Sequence, residues 1–291
     1  MIGTTYSSRL SSLTQAASKI SSEISTLQEK ATTGLEITRP SDAPEQVAYL
    51  HGLSSQITDQ GTWSTNAERA MNYLDGADDA LAGMSDLISS ARELATQYAS
   101  ETYSAEDRAS GAVEAQAIFD QIVALANTDI GGRYIFSGNA YDSPAYDSAG
   151  TYLGDTDAPT TLTGSTQDVA TGLVGSDALQ SDTDIFAAVG DLIAALSADD
   201  TDAISASIDA LEAAGEQIST SRTAVASEFN SAEDAVAVSE NMQALLNEAL
   251  ENTAGADMVS VYTSLAELQS NYEAVLQITA SSQSMNLFSM M

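Results

Sequence analysis

Proline occupies only positions 40, 44, 144 and 159, which leaves 45–143 and 160–291 as two long proline-free stretches. A proline inside a helix removes a hydrogen bond and clashes with the preceding turn, so these stretches permit helices of unusual length. The apolar spacing predicts that such helices form. Near the start, Leu10, Leu13, Ala17, Ile20, Ile24 and Leu27 recur at steps of three and four. Near the end, Met258, Val261, Leu265, Leu268, Tyr272 and Val275 do the same. Each is a narrow seam of the coiled-coil kind, which buries little within one chain and normally means association with further partners.

Between the seams the helical period persists. Thr32-Thr33-Gly34 ends the first helix, with Gly34 suited to a C-cap. Residues 35–44 read as an extended connector, since Pro40 pushes Arg39 out of the helical region. Ser41 or Asp42 can cap a second helix with Pro44 in its first turn. That helix is expected over about 45–100, with Leu74, Ala77, Leu81, Met84, Ile88, Ala91, Ala95 and Tyr98 on one face. A third follows a break near 100–106, where Ser104 and Asp107 have capping-box spacing and Ala115, Ile118, Ile122 and Leu125 share a face. After Gly131-Gly132 the texture changes. Arg133-Tyr134-Ile135-Phe136 is strand-like, and 137–183 is rich in Gly, Asp, Ser and Thr. Helical spacing resumes at Ile204, Ile208, Leu211 and Ile218, then Val225, Phe229, Ala232 and Val236. Val238, Met242 and Leu245 are expected to continue it after a phase shift.

The fold expected is therefore mainly α: a long helical bundle or coiled coil formed by pairing of the N- and C-terminal helices, with a small β-rich insert at mid-chain. The domains implied are 1–40 with 255–291 as a terminal coiled coil, 41–136 with 184–254 as a helical bundle, and 137–183 as the insert.

Charge excludes several functions. There are 42 acidic residues against 9 Lys and Arg, a formal net charge of −33. Nucleic acid is excluded as a partner, because neutralising phosphates takes clustered Lys and Arg. Anionic membrane surfaces are disfavoured on the same ground. No run approaches the length of a membrane span, so no membrane insertion is expected. Such acidity fits saline surroundings or, alternatively, the binding of cations. Cysteine is absent, so no thiol nucleophile or Cys-ligated metal can be built. The first residues lack a basic n-region and an apolar h-region, so no cleaved signal peptide is expected.

The residues offer no catalytic constellation. His51 is the only histidine, and Lys19 and Lys30 lie in no phosphate-binding loop. The acid pairs Asp78-Asp79 and Asp199-Asp200 read as helix faces or caps in so acidic a chain. No calcium loop of the Asp-x-Asp-x-Asp-Gly kind occurs. No catalytic residue, cofactor or metal is expected, and the chain reads as a structural subunit and not an enzyme.

Four motifs carry a family resemblance. Thr32-Thr33-Gly34 followed by Arg39-Pro40-Ser41-Asp42-Ala43-Pro44 is similar to a "TG…NPSDDP" stretch, with Arg39 in place of Asn and Ala43 in place of the second Asp. Gly132-Arg133-Tyr134-Ile135-Phe136-Ser137-Gly138 is similar to "GxYLFSG". Tyr152-Leu153-Gly154-Asp155 and Gly175-Ser176-Asp177-Ala178-Leu179 resemble "Y-x-GD" and "G-x-DAF". The closing stretch from Leu265 through Val275 to Leu287-Phe288 resembles a terminal helix with an "LSLFDYL" tail, from which Ser289-Met290-Met291 diverges. In this order they resemble the bacterial flagellin family, and within it the subunits of the hook–filament junction.

The resemblance implies a subunit exported by the flagellar type III apparatus and placed outside the cell at the junction. Its implied partners are copies of itself, hook-associated protein 1, flagellin, and an export chaperone contacting the C-terminal helix at about 255–291. It implies assembly through the two terminal seams, a connector formed by Gly34, Arg39, Pro40, Ser41, Asp42 and Pro44, and an outer-domain entry marked by Gly132, Tyr134, Phe136 and Gly138. Two rival readings stay open: a flagellin of the filament itself, and a signalling coil of the chemoreceptor type.

Overall fold

The computed structural model describes residues 2–37 and 43–289. Its elements in chain order are α1 (Ile2–Thr33), α2 (Pro44–Tyr98), α3 (Ala105–Ala126), β1 (Asp129–Ile130), β2 (Arg133–Tyr134), β3 (Thr160–Leu162), β4 (Asp168–Ala170), α4 (Gly175–Leu179), α5 (Ile185–Ala198), α6 (Thr201–Ala254) and α7 (Met258–Ser289). The mainly α class with a small mid-chain β insert is what is found. The chain divides into two units, residues 1–58 with 243–291 and residues 59–242.

Helix ends follow local chemistry. α1 stops where Gly34 adopts φ +73° and donates its N–H to Lys30 O at 2.8 Å, a left-handed cap that glycine adopts without penalty. At α3 the Ser104 hydroxyl accepts from Asp107 N–H (3.2 Å) and the Asp107 carboxylate accepts from Ser104 N–H (3.0 Å), completing the expected capping box. Asp184 caps α5, Asp200 caps α6 and Asp257 caps α7 by accepting first-turn N–H groups. Four of the acids thus mark helix starts.

The second unit holds the larger core. Leu74, Ala77, Leu81, Met84, Ile88, Ala91 and Ala95 of α2 are all buried, as their spacing requires. Ala115, Ile118 and Ile122 of α3 and Ile204, Leu211, Ala214, Ile218 and Val225 of α6 are buried with them. α5 is the most apolar helix, burying Ile185, Phe186, Val189, Leu192 and Leu196 against α3.

Two expectations need correction. The buried face of α6 keeps its phase through Ala232, Ala235, Ser239 and Leu246. Val238, Met242 and Leu245 face outward instead, 64%, 42% and 60% exposed. And the strand after Gly132 is only Arg133–Tyr134, paired antiparallel with Asp129–Ile130 through the Gly131-Gly132 turn. Ile135 and Phe136 leave the ladder to become core, 3% and 0% exposed.

From 137 to 183 the chain is mostly turns around one ribbon, β3 paired antiparallel with β4. Isolated bridges at Ser137–Val174 and Tyr146–Tyr152 add to it. Its aromatic centre packs on α5, with the Tyr146 ring 4.6 Å from that of Phe186.

Candidate functional site

In the first unit, α1 and α7 pair antiparallel along their length. Their inner ends are tied by a short clasp in which Glu36 N–H donates to Ala254 O (2.6 Å) and Ala256 N–H donates to Gly34 O (2.9 Å). Lys30 Nζ also donates to the Glu36 carboxylate. The expected seams lie on the helix sides with the least exposure. Leu10, Leu13, Ala17, Ile20, Ile24 and Leu27 are each half-buried, as are Met258, Leu265, Leu268, Tyr272 and Val275. Of these twelve positions only Val261 is buried, at 4% exposed. Elsewhere on α7, Val259, Tyr262, Leu276 and Ile278 stand 77%, 56%, 46% and 52% exposed. Two helices side by side can cover one stripe of each other and no more, so much apolar surface stays wet.

Of the connector residues, Gly34 caps α1 and Pro44 opens α2, while Arg39, Pro40, Ser41 and Asp42 lie outside the described residues. The entry to the insert is well defined. Gly132 turns the β1–β2 hairpin, Tyr134 is half-buried and Phe136 fully buried. Gly138 has φ +61°, and a Cβ there would lie 2.5 Å from Asp155 O and 2.9 Å from Asp157 O. Only glycine fits. Its N–H donates to Leu173 O, so the motif seals the start of the insert to its end.

Arginines supply the long-range polar anchors, which periodicity cannot reveal. The Arg133 guanidinium sits between the rings of Tyr73 and Tyr141, 4.9 and 4.3 Å from their centroids. Arg108 is buried and donates to Tyr98 O and Ser100 O, both at 3.0 Å, and to the Asp199 carboxylate. Arg222 grips Asp78 at two points. The one available signal was scarcity: in a chain with nine basic residues, an arginine amid acids marks a fixed partner.

No group of three or more metal-ligating side chains occurs among the described residues. His51 is exposed. Hydrogen bonds from Arg222 hold the Asp78 carboxyl below its usual range. Burial, reinforced by the neighbouring Tyr152, pushes the Tyr146 phenol well above its ordinary value. That hydroxyl has no hydrogen-bond partner and lies over Gly175 within the packed insert. No described helix is long and apolar enough to cross a membrane.

The architecture defines a class first: a helical chain with paired terminal helices and a compact insert carried on a helical unit. This is the fold of a putative flagellar hook-associated protein from Vibrio parahaemolyticus, with a TM-score of 0.67 at 16% identity, covering 74% of this chain and 100% of that one. Residues 5–141 match the bacterial flagellin N-terminal helical region. The flagellar hook-associated protein 3 of Salmonella typhimurium is 31% identical over 157 residues, 53% of this chain and 50% of that protein. The flagellar filament 33 kDa core protein of Treponema phagedenis is 34% identical over 99 residues, 34% of this chain and 35% of that protein. The chain thus spans half or less of the length of these two curated relatives. The resemblance to the flagellin family read from the motifs holds, and hook-associated protein 3 is among the proteins that share it.

Proposed function

We propose that this chain is a non-enzymatic structural subunit of the bacterial flagellum that adapts the hook-associated zone to the flagellin filament. It assembles with copies of itself and with hook-associated protein 1 and flagellin, through the seams of α1 and α7. An export chaperone receives its C-terminal helix. On this reading 1–40 and 255–291 form the assembly domain, 41–136 and 184–254 the bundle, and 137–183 an outer domain. The observation that carries it is the half-buried state of eleven of the twelve seam positions in the isolated chain. Isolated helices with so little cover are marginal in water, and neighbouring molecules supply the missing layer.

A filament role is the alternative, favoured by the likeness to the Treponema filament core protein. Electron microscopy of flagella carrying a label on this chain separates the two. A narrow band at the hook–filament boundary supports the junction, whereas label along the whole filament makes the chain a flagellin.

A further inference from the structure

The two helices of the terminal pair present unlike outer faces. On α7, Val259, Tyr262, Ala266, Glu273 and Leu276 follow one another at helical spacing and are all exposed. On α1, Ser8, Ser12, Gln15, Lys19 and Ser22 do the same. One face is apolar and acidic; the other is built of small and uncharged polar side chains around Lys19 and its loosely held i+4 neighbour Glu23. The wider charge distribution has the same polarity. From Thr223 to Met291 the chain has nine acidic residues and no Lys, Arg or His, whereas Arg9, Lys19, Lys30 and Arg39 fall within the first forty residues.

Resting on the assembly reading above, we propose that the outer face of α7 in one copy docks on the outer face of α1 in a second copy, with Glu273 meeting Lys19. Two features argue for this occupant. The first is charge: α7 against α7 would set acid against acid with no counter-charge on either helix, while α7 against α1 sets Glu273 against the cation. Lys19 is available, its side chain 80% exposed and 3.9 Å from Glu23. The second is level. The clasp pairs Leu35 with Gly255, so about sixteen residues out on each side, at equal rise per residue, Lys19 stands level with Asn271 and about 3 Å in height from Glu273. A copy placed alongside therefore brings the two charges to nearly the same height. The serines of α1 give a low surface on which Val259, Tyr262 and Leu276 can rest. Because the two faces differ, the contact is heterologous and builds a ring or a helical array of copies instead of closing as a twofold dimer.

The absence of cysteine makes the test clean. Full-length Lys19→Cys and Glu273→Cys are made as two single-cysteine chains, mixed, polymerised at fixed salt and oxidised. The expected product is a disulfide-linked heterodimer in excess over either homodimer, since no chain carries both thiols. In parallel, Lys19→Glu raises the critical concentration for assembly about two- to fivefold, and adding Glu273→Lys to it restores the original value. Polymers without excess heterodimer, or a charge swap that fails to rescue, overturn this pairing and leave the assembly reading intact. A wild-type chain that never polymerises overturns both.

Discussion

Arg222 and Asp78 form a two-point ion pair, Nε to Oδ1 at 2.8 Å and Nη2 to Oδ2 at 2.9 Å, fastening α6 to α2 within the larger unit. Both side chains are 41% exposed, so solvent screens the pair and it contributes at most about 1 kcal/mol. The Asp78 carboxyl is held below its unfolded value. Its contribution is therefore complete above the ordinary carboxylate range near pH 4 and is lost as pH falls through the lowered folded value. Urea unfolding at neutral pH should show Arg222→Ala less stable than wild type by up to about 1 kcal/mol. In strong acid the two curves should converge; a gap that widens on acidification would contradict the pairing.

Arg108 is a stiffer constraint. It satisfies the carbonyls of Tyr98 and Ser100 at the end of α2 and holds Asp199, the left-handed residue closing α5. Replacing it with alanine strands two carbonyls and removes a partly buried ion pair, a loss of about 2–3 kcal/mol. Calorimetry should show a correspondingly lower melting temperature, with helix content retained at low temperature.

Gly138→Ala tests the insert. The added methyl meets two carbonyl oxygens and the backbone is left at φ +61°, a combined cost of about 2–3 kcal/mol. Hydrogen exchange should quicken in the insert, at 137–183, while the amides of α2 and α6 stay protected. Uniform loss of protection would mean that the insert is not separately cooperative.

Arg133→Gln removes a cation held between two tyrosine rings. A loss of about 1 kcal/mol is expected, together with greater fluorescence quenching of Tyr141, already 38% exposed.

These anchors also mark what could be read from the residues and what could not. Local rules worked where a helix speaks for itself: the capping box at Ser104, the stop at Gly34 and the buried line from Leu74 to Ala95 all depend on neighbours a few residues away. They failed where the partner is remote. Val238, Met242 and Leu245 have a buried helix's spacing, yet Ala235, Ser239 and Leu246 take the inward face because they continue the line already set by Val225 and Ala232. Ile135 and Phe136 look like strand, but the carbonyls of both are taken by 173–175 in place of a ladder. The seams of α1 and α7 were legible as stripes; spacing alone does not name what covers them.

Charge gives a further outcome. A chain at −33 repels its own copies, and salt screens that repulsion. Added NaCl should lower the critical concentration for assembly; a rise in subunit dissociation with salt would contradict the electrostatic account.

Assembly of this kind requires that α1 and α7 wait for neighbours. Hydrogen–deuterium exchange on the monomer and on assembled polymer reads this directly. Amides of both helices should exchange rapidly in the monomer and become protected by orders of magnitude in the polymer, while those around Leu81 and Leu211 stay protected throughout. Full protection of α1 and α7 already in the isolated monomer would contradict it.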